Sequence, residues 1–543
     1  MKLVRLHQRD YSVLVDAFEQ GAVLGGDSTF SLQELGHLVH AILSYLKHVS
    51  LRGGANKASR DYAHAFRYVL SFSLIYFAEA PKVTLIYHAV YVAASVDASA
   101  LHGVAVLLLP VLVIAVLKRD AAQASVVTLT YALLAFTSSR GLAGVVDALR
   151  SGLTTGLQIS SIILSAIYFY NVQRELGTED KLKASMGSAA GSALYLAVFF
   201  SGFVESFSGY GVSPAVAAPL LLSTGLPPLS ATASALVGHT WAVPFASVGV
   251  PTAVLAGLAE VDVGALAELT AVFASFSLAA IVFRVGRGYI SCSYKELVPA
   301  LLLSLSLVLL APFTRIYSAA VMGFLGVAAG LLLASGAHKV AEALSVLKYY
   351  LLLVAMLLLA NLAGFGGLQY TFIVILAAAL LSQLIERKLA REAPRRTVAM
   401  TFRSVVAVVL FAIVAEIVKR GGYMKSLAIL LAQSTGTLYA LFVPVVGALG
   451  AYATGSATTS NLIFSALQKS YAEAVQVNTY ALLALQNVGG GLGGMVSPAK
   501  ISVAASTTSG KELEQQLFRE GWKSLIVAVA PQVIIAGWIL LQR

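Results

Sequence analysis

Few side chains in this 543-residue chain can do chemistry, and most of those fall in two matched places. In the first, Glu205-Ser206-Phe207-Ser208-Gly209-Tyr210-Gly211 sets a carboxylate and two hydroxyls beside a pair of glycines. It is followed by Gly238-His239-Thr240-Trp241-Ala242-Val243-Pro244, running on to Gly249-Val250-Pro251. In the second, Gly455, Ser456, Thr458, Thr459, Ser460 and Asn461 form a tract of small donors and acceptors. It is followed by Gln486 and Asn487, the glycine run Gly489–Gly494, and Ser497-Pro498 with Lys500 beyond. There is no convincing nucleophile–base pair, so an enzyme is not expected. The chemistry these residues offer is non-covalent. Glu205 can carry a proton, Lys500 can pair with a substrate carboxylate or with Glu205 when the site is empty, and His239 can donate or titrate. The hydroxyls, amides and backbone N–H groups can hold an anion or, through their oxygens, a cation. Each also has a plainer reading. Glu205 can cap a half-helix at the water edge, His239 can be a neutral structural residue, Lys500 can snorkel to the interface, and Ser, Thr and Gly can let helices pack closely.

The elements that must position these residues lie in lipid. Apolar residues make up 58% of the chain and charged residues 12%, against roughly 25% charged in a soluble protein, and the mean hydropathy is +0.82. So few charges cannot cover a water-facing surface, and the chain reads as an all-α polytopic membrane protein. The net charge of +11 therefore points to short basic loops and not to nucleic acid. One cysteine, Cys292, excludes a disulfide framework and any cysteine-based metal cluster. No metal site and no cofactor is expected.

Apolar runs predict crossings near 101–117, 122–139, 153–170, 228–250, 264–283, 297–312, 316–335, 347–362, 368–385, 401–418, 475–492 and 522–541, or about 12–13 with an extra one before them. The stretches 185–225 and 426–469 are each interrupted near the centre by Gly, Ser and Thr, and read as re-entrant hairpins with polar tips. The basic loops agree with this reading. Arg387, Lys388, Arg391, Arg395 and Arg396; Arg284, Arg287 and Lys295; Arg174, Lys181 and Lys183; and Lys118 and Arg119 all fall on the cytoplasmic side. Lys419 and Arg420 fall outside and count mildly against it. The order of crossings recurs in 101–283 and 347–543, joined by 284–346 with two crossings. The first hairpin would enter from the cytoplasm and the second from outside, an inverted-topology repeat of the kind common in secondary transporters. Gly and Pro breaks at matching places in two halves point to a substrate site near the membrane midplane.

Residues 1–67 read differently. They are mixed in charge, and Ser31-x-x-Glu34 before Leu32, Leu35, Val39, Ile42, Leu43 and Leu46 predicts a capped amphipathic helix in a small soluble extension. Residues 68–100 form an apolar connecting segment that could cross once, although Glu79, Pro81 and Lys82 interrupt it. No apolar run follows the first basic residues, so no signal peptide is expected. His37-x-x-His40 lacks further obvious metal ligands. Gly510-Lys511 is no phosphate loop, because Ala505 and Glu512 occupy positions that need Gly and Ser or Thr.

The motifs resemble those of the L-lactate permease family. Phe203-Val-Glu205-Ser-Phe-Ser-Gly209-Tyr-Gly211-Val-Ser-Pro214 is similar to its LEG-x-x-GFGTP region. Gly238–Gly249 resembles the next signature, Leu449–Gln468 resembles GSFLTGSNTxSNxLFGxLQ, and Gly493–Pro498 resembles GxMISP. The likeness runs from about 101 to 541. Ala457 stands where the family has polar Asn or Asp, Ser208 and Tyr210 alter the first tip, and Lys500 stands where a neutral polar residue is common. The resemblance implies a multi-pass plasma-membrane symporter of lactate, glycolate or a related 2-hydroxy monocarboxylate with protons, in the ion-transporter superfamily, working by an elevator-like movement. On this reading Glu205, with His239, couples the proton. Ser208, Gly209, Gly211, His239, Thr240, Gly455, Ser456, Thr458, Thr459, Ser460, Asn461, Gln486, Asn487, Ser497 and Lys500 surround the substrate. The partners are a small monocarboxylate, a proton or Na⁺ and the bilayer, with a homodimer compatible. The alternatives are a sodium-coupled carrier of another anion and a membrane sensor built on a transporter core. A channel fits two closed hairpins less well.

Overall fold

The computed structural model describes residues 98–117, 119–178, 181, 193–209, 212–335, 337–363, 365, 368–506 and 513–542. The expected extension 1–67 and nearly all of 68–100 lie outside the described residues, as does Gly211 of the first tip. The described chain is helical, and seven helices are long and apolar enough to cross a membrane, or up to eight if one bent pair is a single span. Five shorter apolar helices accompany them. The short ones include both arms of the first hairpin, where a full ~20-residue crossing is not what the chain builds.

Helical structure begins at Ala98–Val111, which runs into a π-turn at Leu112–Val116. The next element, Ala121–Glu175, is 55 residues long and contains the spans Ala121–Ser138 and Gly144–Glu175. The sequence suggests two separate crossings here. With no proline between them, the backbone stays helical throughout. Asp120 starts this helix by accepting from Gln123 N, while the Gln123 side chain accepts from Asp120 N. Its C-terminal half is held by polar contacts that bypass the lipid. Asn171 donates to Thr397 Oγ1 at 3.1 Å, and Gln173 donates to Ser382 Oγ at 2.9 Å. These tie it to the helices Ala393–Gly421 and Leu368–Glu386. Beside the basic loop, the Glu175 carboxylate accepts from the backbone N–H of Glu392 and Ala393, a negative charge on a helix N-terminus. At the far end of Leu368–Glu386, Lys348 and Tyr349 hold the Glu386 carboxyl down at about 2.

Two stretches share one order of elements. In the first, the arms Ala193–Ser208 and Val212–Ser223 form a hairpin around Gly209. A broken helix follows, Pro228–Gly238, a 3₁₀ turn Thr240–Phe245, and Ala246–Ala259, and then the long helix Val263–Val285. In the second, the arms Val443–Thr454 and Ala457–Ala474 meet at Gly455. The broken helix is Thr479–Leu492, a 3₁₀ turn Gly493–Val496, and Pro498–Ser506, and the long helix is Glu514–Leu541. Before the second hairpin the chain bends by 108° between Tyr423–Thr435 and Leu438–Thr454. The pair Tyr294–Thr314 and Ser318–Ser335 and the helix Ala337–Leu362 lie between the two stretches.

Glycines set how closely these pieces approach. A Cβ on Gly238 would strike the Ala197 carbonyl, one on Gly489 the Pro444 carbonyl and one on Gly493 the Ala448 carbonyl. Each broken helix is thus pressed against an arm of its own hairpin, and Trp241 Nε1 adds a hydrogen bond to Val198 O at 3.1 Å. The two stretches also interlock, since Ala246–Ala259 packs on Ala457–Ala474 and Thr240–Phe245 packs on Thr479–Leu492. Replacing Gly238 by Ala is expected to lower stability by about 1–3 kcal/mol, because backbone cannot yield as a side chain can. Thermal unfolding of the purified variant in detergent checks this, and an unchanged midpoint would mean the contact is loose.

Candidate functional site

Helix breaks place three ionisable side chains together inside the protein. Glu205 lies in the last turn of the first hairpin's incoming arm. His239 closes the first half-helix of the first break. Lys500 lies in the first turn after the second break. Their exposures are 1%, 0% and 5%, so all three are removed from solvent. Lys500 Nζ is 3.6 Å from Glu205 Oε1 and 3.5 Å from His239 Nε2. His239 Nδ1 lies 3.1 Å from the carbonyl of Ala235. A carbonyl only accepts, which assigns the ring proton to Nδ1 and leaves Nε2 as the acceptor facing the ammonium. Both Glu205 oxygens lack a hydrogen bond, so at 3.6 Å the ion pair is the main compensation for that carboxylate. The three groups come from three separate elements.

Around this triad the two tips meet the two breaks in the same way. Gly209 and Gly455 both have positive φ, +60° and +74°, which suits glycine at a sharp turn. A Cβ on Gly209 would lie 2.7 Å from Ser247 Oγ, and one on Gly455 would lie 3.4 Å from Ser497 Oγ. Ser497 Oγ is buried without a partner. Ser247 and Val248 also have positive φ, at 48° and 62°. For β-branched Val248 this is a costly conformation, held where the first break abuts the first tip. Sequence reasoning missed Ser247. Its counterpart relation to Ser497, one tip glycine upstream of each, was the available signal.

Four other predicted residues, Ser460, Asn461, Gln486 and Asn487, belong to a second polar group. Asn461 Nδ2 donates to Pro251 O at 3.0 Å and to Asn487 Oδ1 at 2.8 Å. Asn487 Nδ2 in turn donates to Thr252 Oγ1 at 2.7 Å and to Thr270 Oγ1 at 3.3 Å. Gln468 donates to Gln486, Gln486 to Ser460 Oγ, and Ser460 to Gly447 O. This network joins the second hairpin and second break to the first break and the helix after it. Thr252 and Thr270 were also missed, because an isolated threonine in an apolar run carries no signal of its partner.

Several predicted hydroxyls are engaged locally. Ser208 donates to Val204 O and Thr240 to Val237 O, both within a helix turn. Ser456 Oγ accepts from Thr459 N and caps the outgoing arm of the second hairpin. Thr458 and Thr459 are buried in its first turn. The plainer packing reading accounts for these bonds of Ser208, Thr240 and Ser456, each of which is made to a neighbour in the same stretch of chain.

Apolar helices around two hairpin tips and two broken helices, with buried charges where they meet, define a polytopic membrane transporter. The L-lactate permease family profile matches residues 99–304 and 284–542, and the chain belongs to that family. It is 24% identical over 449 residues to the L-lactate permease of Escherichia coli K12, covering 66% of this chain and 80% of that one. It is 24% identical over 462 residues to the glycolate permease GlcA of the same strain, covering 68% and 82%. Among solved structures, a YdaH transporter of Alcanivorax borkumensis aligns over 74% of this chain and 90% of that one, with 16% identity and a TM-score of 0.47. These curated relatives are named permeases, in line with the expectation that the chain is not an enzyme.

Removing one partner of a buried ion pair leaves the other uncompensated, at a cost of about 3–5 kcal/mol. Lys500→Met is therefore expected to lower the unfolding midpoint sharply. Adding Glu205→Gln should recover a large part of the loss. Additive losses in the double variant would show that the two side chains do not interact.

Proposed function

We propose that the chain is a secondary transporter of the plasma membrane that carries lactate, glycolate or a related 2-hydroxy monocarboxylate together with a proton. The observation that carries this reading is the buried Glu205–Lys500 pair at the meeting point of one hairpin and two breaks. A charge at this depth is costly, about 2.5–3.5 kcal/mol or more when unpaired. Two occupancies leave no charge unpaired. In one, ionised Glu205 faces Lys500 and the site is empty. In the other, Glu205 is protonated and a substrate carboxylate takes its place on Lys500. Proton without anion, or anion without proton, leaves an unpaired charge and is disfavoured. Coupling follows from this balance, and His239 supports it by accepting from Lys500 in either state.

The recurring order of hairpin, broken helix and long helix supports an inverted repeat. Glu205, His239 and Lys500 are all buried, which fits an occluded conformation that must move as a body to reach either side, by an elevator-like displacement against the remaining helices.

Proteoliposomes test the proposal. An inward proton gradient at constant Na⁺ is expected to drive accumulation of labelled L-lactate or glycolate. Glu205→Gln should lose accumulation while keeping exchange of internal for external substrate. Uptake that ignores the pH gradient, or that requires Na⁺ at fixed pH, would overturn proton coupling.

A further inference from the structure

The glycine run of the second broken helix is not uniform. Gly489 and Gly493 face backbone carbonyls of the hairpin arm, and Gly491 faces Pro244 and the Thr240 carbonyl, all too close for a side chain. Gly490 and Gly494 differ. A Cβ on Gly490 would meet Asn461 Oδ1 and Ser460 Oγ at 3.7 Å and Ala457 Cβ at 3.8 Å, with nothing nearer. A Cβ on Gly494 would meet Lys500 Nζ at 3.1 Å. Gly489 and Gly493 both meet carbonyls of the same arm across the break, so Gly490 and Gly494, each one residue further on, lie along the neighbouring face. At one end of this face the Lys500 side chain lies over Gly494, and at the other Gly490 has room for a methyl in van der Waals contact with the side-chain oxygen of Asn461.

That oxygen has no hydrogen-bond partner, although Asn461 is fully buried. Its orientation is fixed by its neighbours. The Pro251 carbonyl can only accept, so Nδ2 must face it, and Asn487 has committed its own Nδ2 to Thr252 and Thr270. Oδ1 is left as a pure acceptor beside Gly490. Buried acceptors in native proteins are rarely left unmatched, so this one calls for a donor that the described residues do not supply.

We propose that the substrate lies along the Gly490–Gly494 face, its carboxylate on Lys500 and its 2-hydroxyl donating to Asn461 Oδ1. This rests on the 2-hydroxy monocarboxylate reading above and deepens it, because it names what reads the hydroxyl. The dimensions agree. Four residues of helix rise roughly 6 Å, or about 8 Å where the turn is 3₁₀. In a 2-hydroxy acid about 3 Å separates the hydroxyl from a carboxylate oxygen, and a hydrogen bond of about 2.8 Å at each end brings the fully extended span to about 8.6 Å, near the upper of these values and shorter where the bonds bend. A site built to bond a hydroxyl rejects an analogue lacking it, because a buried acceptor is then left unpaired.

Ligand-induced thermal stabilisation of the purified full chain, with L-lactate, glycolate, propionate and 2-methoxypropionate as probes, tests this. The first two should stabilise, while propionate and 2-methoxypropionate, which cannot donate, should bind at least tenfold more weakly. Gly490→Ala has room to fold, so its unliganded midpoint should be unchanged or higher, yet the added methyl should weaken lactate binding at least tenfold. Stabilisation by propionate equal to that by lactate would overturn the hydroxyl assignment. So would lactate binding unaltered in a well-folded Gly490→Ala variant. If neither hydroxy acid stabilises the wild-type protein, the substrate reading itself fails, which is a separate outcome.

Discussion

A helix broken inside a membrane exposes backbone groups that lipid cannot hydrogen-bond, and this constraint governs the protein. Each interruption has to be wrapped in other chain. The two hairpins do the wrapping, each clamping the broken helix of its own stretch through glycines that admit a carbonyl where a side chain would stand. The breaks are then cross-linked to each other through Asn461, Asn487 and Thr252. The same constraint explains why hydroxyls are frequent here. Those of Ser208 and Thr240 return to carbonyls of their own helices, and Ser456 satisfies an N–H at a helix start.

Once a dry, wrapped junction exists, charge inside it becomes meaningful. Electrostatic interactions strengthen as water is excluded, so a lysine flanked by a carboxylate and an imidazole acceptor is a balanced unit whose parts cannot be exchanged independently. In the proposed cycle the substrate carboxylate and the proton substitute together for one member of that unit. The rest of the bundle keeps the junction intact. Gln173 with Ser382, Asn171 with Thr397 and Glu175 on the N–H groups of Glu392 and Ala393 hold the surrounding helices to one another by contacts that need no water.

Much of this was legible in the sequence, and the reasons differ from place to place. The hairpins and breaks could be read because clustered Gly, Ser and Pro interrupt an apolar run where the helix itself stops. Glu205, His239 and Lys500 stood out because ionisable residues are rare at membrane depth. The pairing of Lys500 with Glu205 was among the options the residue types offered, but the place of His239 beside the same ammonium was not legible, since it depends on how three elements fold back on one another. The continuous helix through 121–175 was also not legible, because hydropathy reports where polar residues interrupt a run and not whether the backbone turns there. Ser247, Thr252 and Thr270 escaped for a related reason. Their importance lies in partners distant in sequence. The glycine run was recognised as a break, but only the structure separates glycines that touch backbone from the two that face polar atoms.

The central claim is that substrate and proton occupy the site together because each neutralises a charge the other creates. Proton uptake on binding measures this directly. With the purified protein in weakly buffered detergent solution and a pH indicator, saturation with L-lactate should take up about one proton per substrate bound at a pH where Glu205 is ionised in the empty site. The Glu205→Gln variant should bind without uptake. Binding by the wild-type protein with no proton taken up, or unchanged uptake in the variant, would contradict the account.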